Sequence, residues 1–288
     1  MNLLPDDRHR SSDLTDHKII IFTDLDGTLL DHFTYSYSAV LPLVVKLRKR
    51  EIPIIFCSSK TRAEQEVYQI KMGISEPFIV ENGGAIFINR GYFPFPYEYH
   101  RVVRDYHVIE LGMPYREIRN KLKQISEKNG LTIRGFGDMD AAEIAELTGL
   151  DLKSARLARK REYGETLNIK GSKQESQYVL SKIEMAGLKC LRGGRFYSVT
   201  GKSDKGKATR IVTELFKRKL GKIKTIGIGD SLNDVPMLSE VDVPVLVQKP
   251  GDYWEKIDIK NLYRIDGVGP QGWTRAIEQF GIVYLTQG

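Results

Sequence analysis

Two aspartates one residue apart, Asp24 and Asp26, follow the apolar run Ile19-Ile20-Ile21-Phe22. Side chains of an extended strand repeat every two residues, so both carboxylates can project to one side where the strand gives way to a loop. Gly27 then permits a sharp turn. A second acidic segment lies far along the chain, where Gly227-Ile228-Gly229 runs into Asp230-Ser231-Leu232-Asn233-Asp234. Two carboxylates and an amide beyond glycines suit Mg2+, a hard cation that takes an octahedron of oxygen ligands and keeps room for water and a phosphate. The bland readings are two solvated acids at a strand-to-loop junction for the first pair and, for the second segment taken alone, an Asx-type helix cap.

Donors for an anion stand at two further places. Ser58, Ser59 and Lys60 follow a strand-like run and offer hydroxyl, amide and ammonium groups, although they can also cap the next helix. Lys205 opens a helical segment whose N-terminal dipole and ammonium can both face negative charge, although a lone lysine is by default a solvated one.

The elements that must position these residues alternate. Strand-like runs at 18–23, 52–57 and 78–80 are separated by helical rhythms at 40–49 and 61–72, the pattern of a parallel sheet with helices on both faces. Chemistry is then expected at the carboxyl ends of the strands. The alternation returns with a helix over 204–219, strands at 224–228 and 243–248, a short helix over 234–239 and a closing helix over 272–280. Between the halves lie an aromatic, turn-rich stretch over 90–114 and helical segments over 114–128, 140–148, 151–162 and 174–185. This middle reads as an inserted domain.

Composition narrows the field. The 288 residues are 41% hydrophobic and 28% charged, the profile of a folded globular chain, and no apolar run approaches the length of a membrane span. The first 17 residues lack the apolar segment of a signal peptide and read as a loose polar tail, so a cytoplasmic enzyme with no membrane partner is expected. Two cysteines give no disulfide framework, and five scattered histidines give no zinc spacing. The net charge of +7 suits an anionic ligand or a well-solvated surface; basic residues spread along helices, without interleaved aromatics, argue against nucleic acid.

Together the four segments resemble the four motifs of the haloacid dehalogenase superfamily of aspartyl phosphatases: Asp24 and Asp26 the first, Ser58 the second, Lys205 the third, Asp230 with Asp234 the fourth. The resemblance implies an α/β core at 18–87 and 198–288, a parallel Rossmann-like sheet, with a large mixed α/β cap of the C2B type (subclass IIB) at 88–197. Segments 57–64, 80–86, 134–139, 161–163 and 193–197 further resemble the mannosyl-3-phosphoglycerate phosphatase family, departing from it at Glu165-Thr166, where glutamate-proline is usual, and at Ser198, where a histidine often stands.

That resemblance implies Asp24 as nucleophile, Asp26 as acid and base, and Ser58 and Lys205 as donors to the phosphoryl oxygens. It implies Mg2+ held by Asp24, Asp230 and the Asp26 carbonyl, with Asn233 and Asp234 behind them. A small phosphorylated sugar-glycerate would meet Ser59, Lys60, Asn82, Arg134, Arg195 and the amides of Gly83 and Gly84, in a monomer or homodimer. Other readings are a glucosyl-3-phosphoglycerate or general sugar phosphatase, a phosphomannomutase-like transferase, and a catalytically idle binding module.

Overall fold

The computed structural model describes residues 17–193, 196–280 and Ile282. The polar tail expected over 1–17 therefore lies outside the described residues except for His17, and so does Arg195.

In chain order the elements are β1 (Lys18–Thr23), α1 (Leu41–Lys49), β2 (Ile54–Phe56), α2 (Arg62–Met72), β3 (Phe78–Val80), β4 (Ala85–Asn89), β5 (Arg101–Val103) and β6 (Tyr106–Glu110). There follow α3 (Tyr115–Asn129), α4 (Ala141–Thr148), α5 (Leu152–Ala158), β7 (Gly164–Leu167), α6 (Lys173–Met185), β8 (Lys189–Gly193) and β9 (Phe196–Thr200). The chain ends with α7 (Lys205–Leu220), β10 (Ile223–Gly229), α8 (Val235–Leu238), β11 (Val243–Gln248), β12 (Tyr263–Val268) and α9 (Pro270–Gln279).

β1 is apolar on both faces because both are covered. Ile19 and Ile21 enter one core with Val44 and Leu47 of α1 and Trp273 and Ile277 of α9. Ile20 and Phe22 enter the opposite core with Val212 and Phe216 of α7 and Met237 and Leu238 of α8. The sheet is parallel throughout, in the order β12-β11-β10-β1-β2. This is the α/β core with helices on both faces that the periodicity predicts.

The third expected parallel strand behaves differently. β3 continues the core sheet only through a parallel bridge between Cys57 and Ile79. The chain then reverses through Glu81 and Asn82, both left-handed (φ 49° and 58°), and Gly83, and returns antiparallel as β4 in a second sheet of order β3-β4-β6-β5. Position 88, where the resemblance opens the insertion, is inside β4. Ile88, Phe93 and Ile109 pack with Phe216 of α7, on the core side.

From Met113 to Thr200 the chain builds a unit with its own interior. Ile118 and Leu122 of α3, Ile183 of α6, Leu167 and Val199 share one cluster against a three-stranded antiparallel sheet, β7-β9-β8. Its two connections to the core run side by side. A Cβ on Gly201 would come within 2.8 Å of the Met113 Cβ, and one on Gly112 within 3.2 Å of Ser203 Oγ. The helix expected over 151–162 stops at Ala158. The N–H groups of Glu162 and Tyr163 are taken instead by the Glu81 carboxylate of the core, so a long-range acceptor displaces the helical ones.

Candidate active site

Parallel pairing of β1 with β10 sets Thr23 against Ile228, which brings the loops after both strands to one end of the sheet. The Asp24 N–H continues the ladder to Ile228 O at 2.9 Å. Carboxylate oxygens of Asp24, Asp230 and Asp234 consequently lie within 4.8 Å of one another, all buried. Lys205, the first residue of α7 and fully buried, places Nζ 2.6 Å from Asp24 Oδ1 and 2.6 Å from Asp234 Oδ1. The other Asp234 oxygen accepts the N–H groups of Asp230 (3.0 Å) and Ser231 (3.1 Å). Both oxygens of Asp234 are thus committed to holding the lysine and the loop. Asp24 Oδ2 has no hydrogen-bond partner among the described residues.

Three acids facing one ammonium leave negative charge in a buried place. Burial, with Asp234 and Asp230 adding to it against Lys205, drives the Asp24 carboxyl well above its ordinary range. Burial and Asp234 push Asp230 up to about 7. Lys205 is desolvated too, yet Asp234 and Asp24 hold its ammonium above the ordinary lysine value. A donor set of carboxylates with excess negative charge fits a hard divalent cation, which would restore neutrality.

Asp26 is more open, its side chain 37% exposed, and Lys60 Nζ approaches its Oδ1 to 3.0 Å. Lys60 also reaches Glu64 at 3.4 Å and lies over the Tyr35 ring. It lines the cavity, but as the ion-pair partner of Asp26 and Glu64. Ser58 is buried at the end of β2, and its Oγ accepts the Lys60 N–H. Ser59 lines the cavity.

Other expected substrate contacts fall elsewhere. The amides of Gly83 and Gly84 both donate to Val80 O, at 3.1 and 2.8 Å, and are not free for a ligand. Gly83 is required for packing: a Cβ there would stand 2.0 Å from Asp204 O, beside the residue that delivers Lys205. Asn82 Oδ1 accepts from Asn233 Nδ2 at 3.2 Å, tying the turn after β3 to the acidic loop, while Asn82 Nδ2 is buried with no partner among the described residues. Arg134 is not in the cavity; its side chain, 47% exposed, pairs with Glu143 at 2.6 Å. Of the two departures noted in the sequence, Glu165 is buried and accepts from Tyr115, Arg119 and Gly137. Thr166 lines the cavity, its N–H donated to Glu165 Oε1, a bond that proline could not make.

The cavity measures about 200 Å³ and is roofed by the inserted unit, which contributes Phe136, Arg161, Thr166 and Phe196. Tyr35 Oη donates to Thr148 O and Thr61 Oγ1 to Leu157 O across the join. His32, Tyr35, Arg161 and Lys249 line this space and were not reached by sequence reasoning as site residues. No local spacing marks them as a set, because they come from three separate connections, after β1 (His32 and Tyr35), after α5 (Arg161) and after β11 (Lys249).

Glu81 is the buried tie between the two units. It accepts from Glu162 N (2.8 Å) and Tyr163 N (3.1 Å) and stands 3.6 Å from Arg161 Nε; Glu162 then meets Arg62 and Arg101. Burial, opposed by Arg161 and these amides, pushes the Glu81 carboxyl up to about 7 from 4.5. The folded state therefore holds a proton that the unfolded chain releases, so stability falls as pH rises from 4.5 to 7, and the penalty is complete above 7. Glu81→Gln removes that dependence. Over this window its unfolding free energy is expected to gain on the wild type by on the order of 3 kcal/mol, measured by urea titration at several pH values. Parallel pH profiles for the two proteins would refute it.

Known proteins place the chain in a family. The family model for haloacid dehalogenase-like hydrolases matches residues 21–95, the stretch carrying the first two motifs, and the chain is a phosphoric monoester hydrolase of that class. A Methanococcoides burtonii protein named glucosyl-3-phosphoglycerate/mannosyl-3-phosphoglycerate phosphatase is 48% identical over 261 residues, covering 90% of this chain and 96% of its own. A Pyrococcus horikoshii mannosyl-3-phosphoglycerate phosphatase is 42% identical over 228 residues, 79% of this chain and 90% of its own. The chain belongs to this family of glycosyl-3-phosphoglycerate phosphatases. The fold is shared more widely: a solved phosphatase of the superfamily from Bacteroides thetaiotaomicron superposes with TM-score 0.60 at 18% identity, over 98% of this chain and 99% of that one.

Proposed function

We propose that the chain is a Mg2+-dependent phosphatase that hydrolyses mannosyl-3-phosphoglycerate to mannosylglycerate and inorganic phosphate, with the glucosyl ester as a second substrate. The relative that is 48% identical carries both sugars in its name. The observation that carries the reading is the buried set Asp24, Asp230 and Asp234 around Lys205, of which Asp24 and Asp230 line the cavity. Making mannosylglycerate, a compatible solute, in the cytoplasm is the role that follows from this activity. Among the described residues no helix is long and apolar enough to cross a membrane.

Asp24 is the nucleophile, attacking phosphorus through Oδ2 as the bond to the glycerate oxygen breaks. Asp26 protonates that oxygen as it leaves. Asp26 then takes a proton from the water that cleaves the aspartyl phosphate, which releases phosphate and restores Asp24. Lys205 and Ser58 donate to the non-bridging oxygens. Asp24, Asp230 and the main-chain carbonyl of Asp26 would hold Mg2+, whose bound charge supplies electrostatic neutralisation of the phosphate. Asp234 holds Lys205 and the 230–231 amides, and Asn233 joins this loop to Asn82.

A phosphate-release panel tests the reading. Turnover is expected on both glycosyl-3-phosphoglycerates, at least about tenfold above simple sugar phosphates in kcat/KM. A chelator should abolish it, and added Mg2+ should restore it. Full activity in chelator would remove the metal, and equal rates on glucose 6-phosphate would remove the substrate.

A further inference from the structure

A phosphoglycerate ester carries a second negative charge, the carboxylate at the far end of its three-carbon arm. The phosphoryl end is served by Lys205 and Ser58, so something else must meet the carboxylate. Among the residues lining the cavity, Lys60, Arg161 and Lys249 carry positive charge. Lys60 is taken by Asp26 and Glu64. Lys249 lies 3.0 Å from Glu255. Arg161 differs from both, and it alone of these cations comes from the inserted unit.

Its guanidinium is fixed along one edge. Nε donates to Gly164 O at 2.8 Å, and Nη2 donates to Ser59 O at 3.1 Å. Both acceptors are neutral main-chain carbonyls. Glu81, the one carboxylate beside it, sits 3.6 Å from Nε, and its two oxygens already accept from Glu162 N and Tyr163 N. Nη1 meets no acceptor among the described residues. The Nη1–Nη2 edge therefore keeps a pair of parallel donors, the fork that matches a carboxylate. Ser59 adjoins Ser58, so the arginine is tied directly beside the phosphoryl-binding loop, a separation suited to a short arm.

We propose that Arg161 selects phosphate esters that bear a carboxylate, with Glu81 as the positioning residue that holds the Glu162 and Tyr163 amides and so the backbone on which Arg161 stands. The assignment rests on the glycosyl-3-phosphoglycerate reading above and adds the residue that reads the glycerate.

The test compares Arg161→Gln, Arg161→Lys and Glu81→Gln with the wild type on mannosyl-3-phosphoglycerate and on p-nitrophenyl phosphate, which has no carboxylate. Arg161→Gln is expected to lose about 100-fold in kcat/KM on the first, mainly through KM, and to stay within about threefold on the second. Arg161→Lys, which keeps the charge but not the fork, should recover part of the loss. Glu81→Gln should lower the ratio between the two substrates by about tenfold, a selective effect that loosened folding alone would not produce. Equal losses on both substrates, or none on either, would overturn the role of Arg161; an unchanged ratio in Glu81→Gln would overturn that of Glu81. Should the wild type not favour glycosyl phosphoglycerates, that reading fails separately. Arg161 is then judged on 3-phosphoglycerate against glycerol 3-phosphate, where the same selective loss is expected and its absence refutes the proposal.

Discussion

Asp24→Asn is expected to retain no more than about one part in 10⁴ of wild-type turnover on a glycosyl-3-phosphoglycerate, while folding at least as well as the wild type in chelator. The amide keeps the shape of the side chain and an acceptor for Lys205, which stands 2.6 Å from Oδ1. It cannot form the acyl phosphate, because an amide oxygen is a poor nucleophile and leaves no carboxylate to be regenerated. The stability half follows from charge. Asp24, Asp230 and Asp234 crowd their oxygens within 4.8 Å in a buried site with one ammonium to oppose them. Removing one of three like charges relieves repulsion and desolvation together, a gain of about 1 kcal/mol or more. Steady-state kinetics and urea titration in EDTA read the two halves. Turnover within tenfold of wild type would remove Asp24 as the nucleophile, and a large drop in stability would contradict the charge reading.

Lys205→Met is expected to cost about 3–5 kcal/mol of folding stability and to abolish measurable turnover. The ammonium is fully buried between Asp24 and Asp234. Its removal leaves two carboxylates facing each other in a dry site, and a buried charge stripped of its partner costs far more than the intact pair contributes. A Lys205→Met/Asp234→Asn double variant should recover a substantial part of that loss, since one unpaired charge goes with it. Urea titration of wild type, both single variants and the double variant closes the cycle. Destabilisation under 1 kcal/mol in Lys205→Met, or strict additivity in the cycle, would show that the three groups do not act as one unit.

The residues proposed as catalytic were legible because strand periodicity is local. Two acids two positions apart at the end of β1 must share a face, and a parallel core places every strand terminus at one end. Asp24, Asp26, Ser58 and Asp230 could be placed in this way from short windows of sequence, whereas Lys205, at the start of α7, stood out only in their company. What was not legible depends on contacts made across the chain. Lys60 looks like a free cation until Asp26 and Glu64 are found beside it. Gly83 and Gly84 look like a ligand-binding nest, yet one is bare because Asp204 presses on it and the other because Tyr163 does. Arg134 and Arg161 are equivalent as letters. One turns outward to Glu143, and the other is drawn into the cavity by Ser59 and Gly164. Residues 159–162 carry helical signals but leave the helix because Glu81 offers better-placed acceptors to the N–H groups of Glu162 and Tyr163, a case of tertiary structure overriding propensity. The reversal after β3 did carry a local signal in Asn82-Gly83, since asparagine favours the left-handed region and glycine enters it freely, whereas the left-handed Glu81 is not marked by its type.

The adjoining connections at Gly112–Met113 and Gly201–Ser203 bear on how such enzymes diversify. The chain departs from the hydrolytic half and comes back to it at one spot. The pairing of β1 with β10 lies outside the segment between those points. Phosphoryl chemistry can thus be inherited intact while the roof above it is exchanged, and recombination at this doorway alters the choice of ester without rebuilding the reaction.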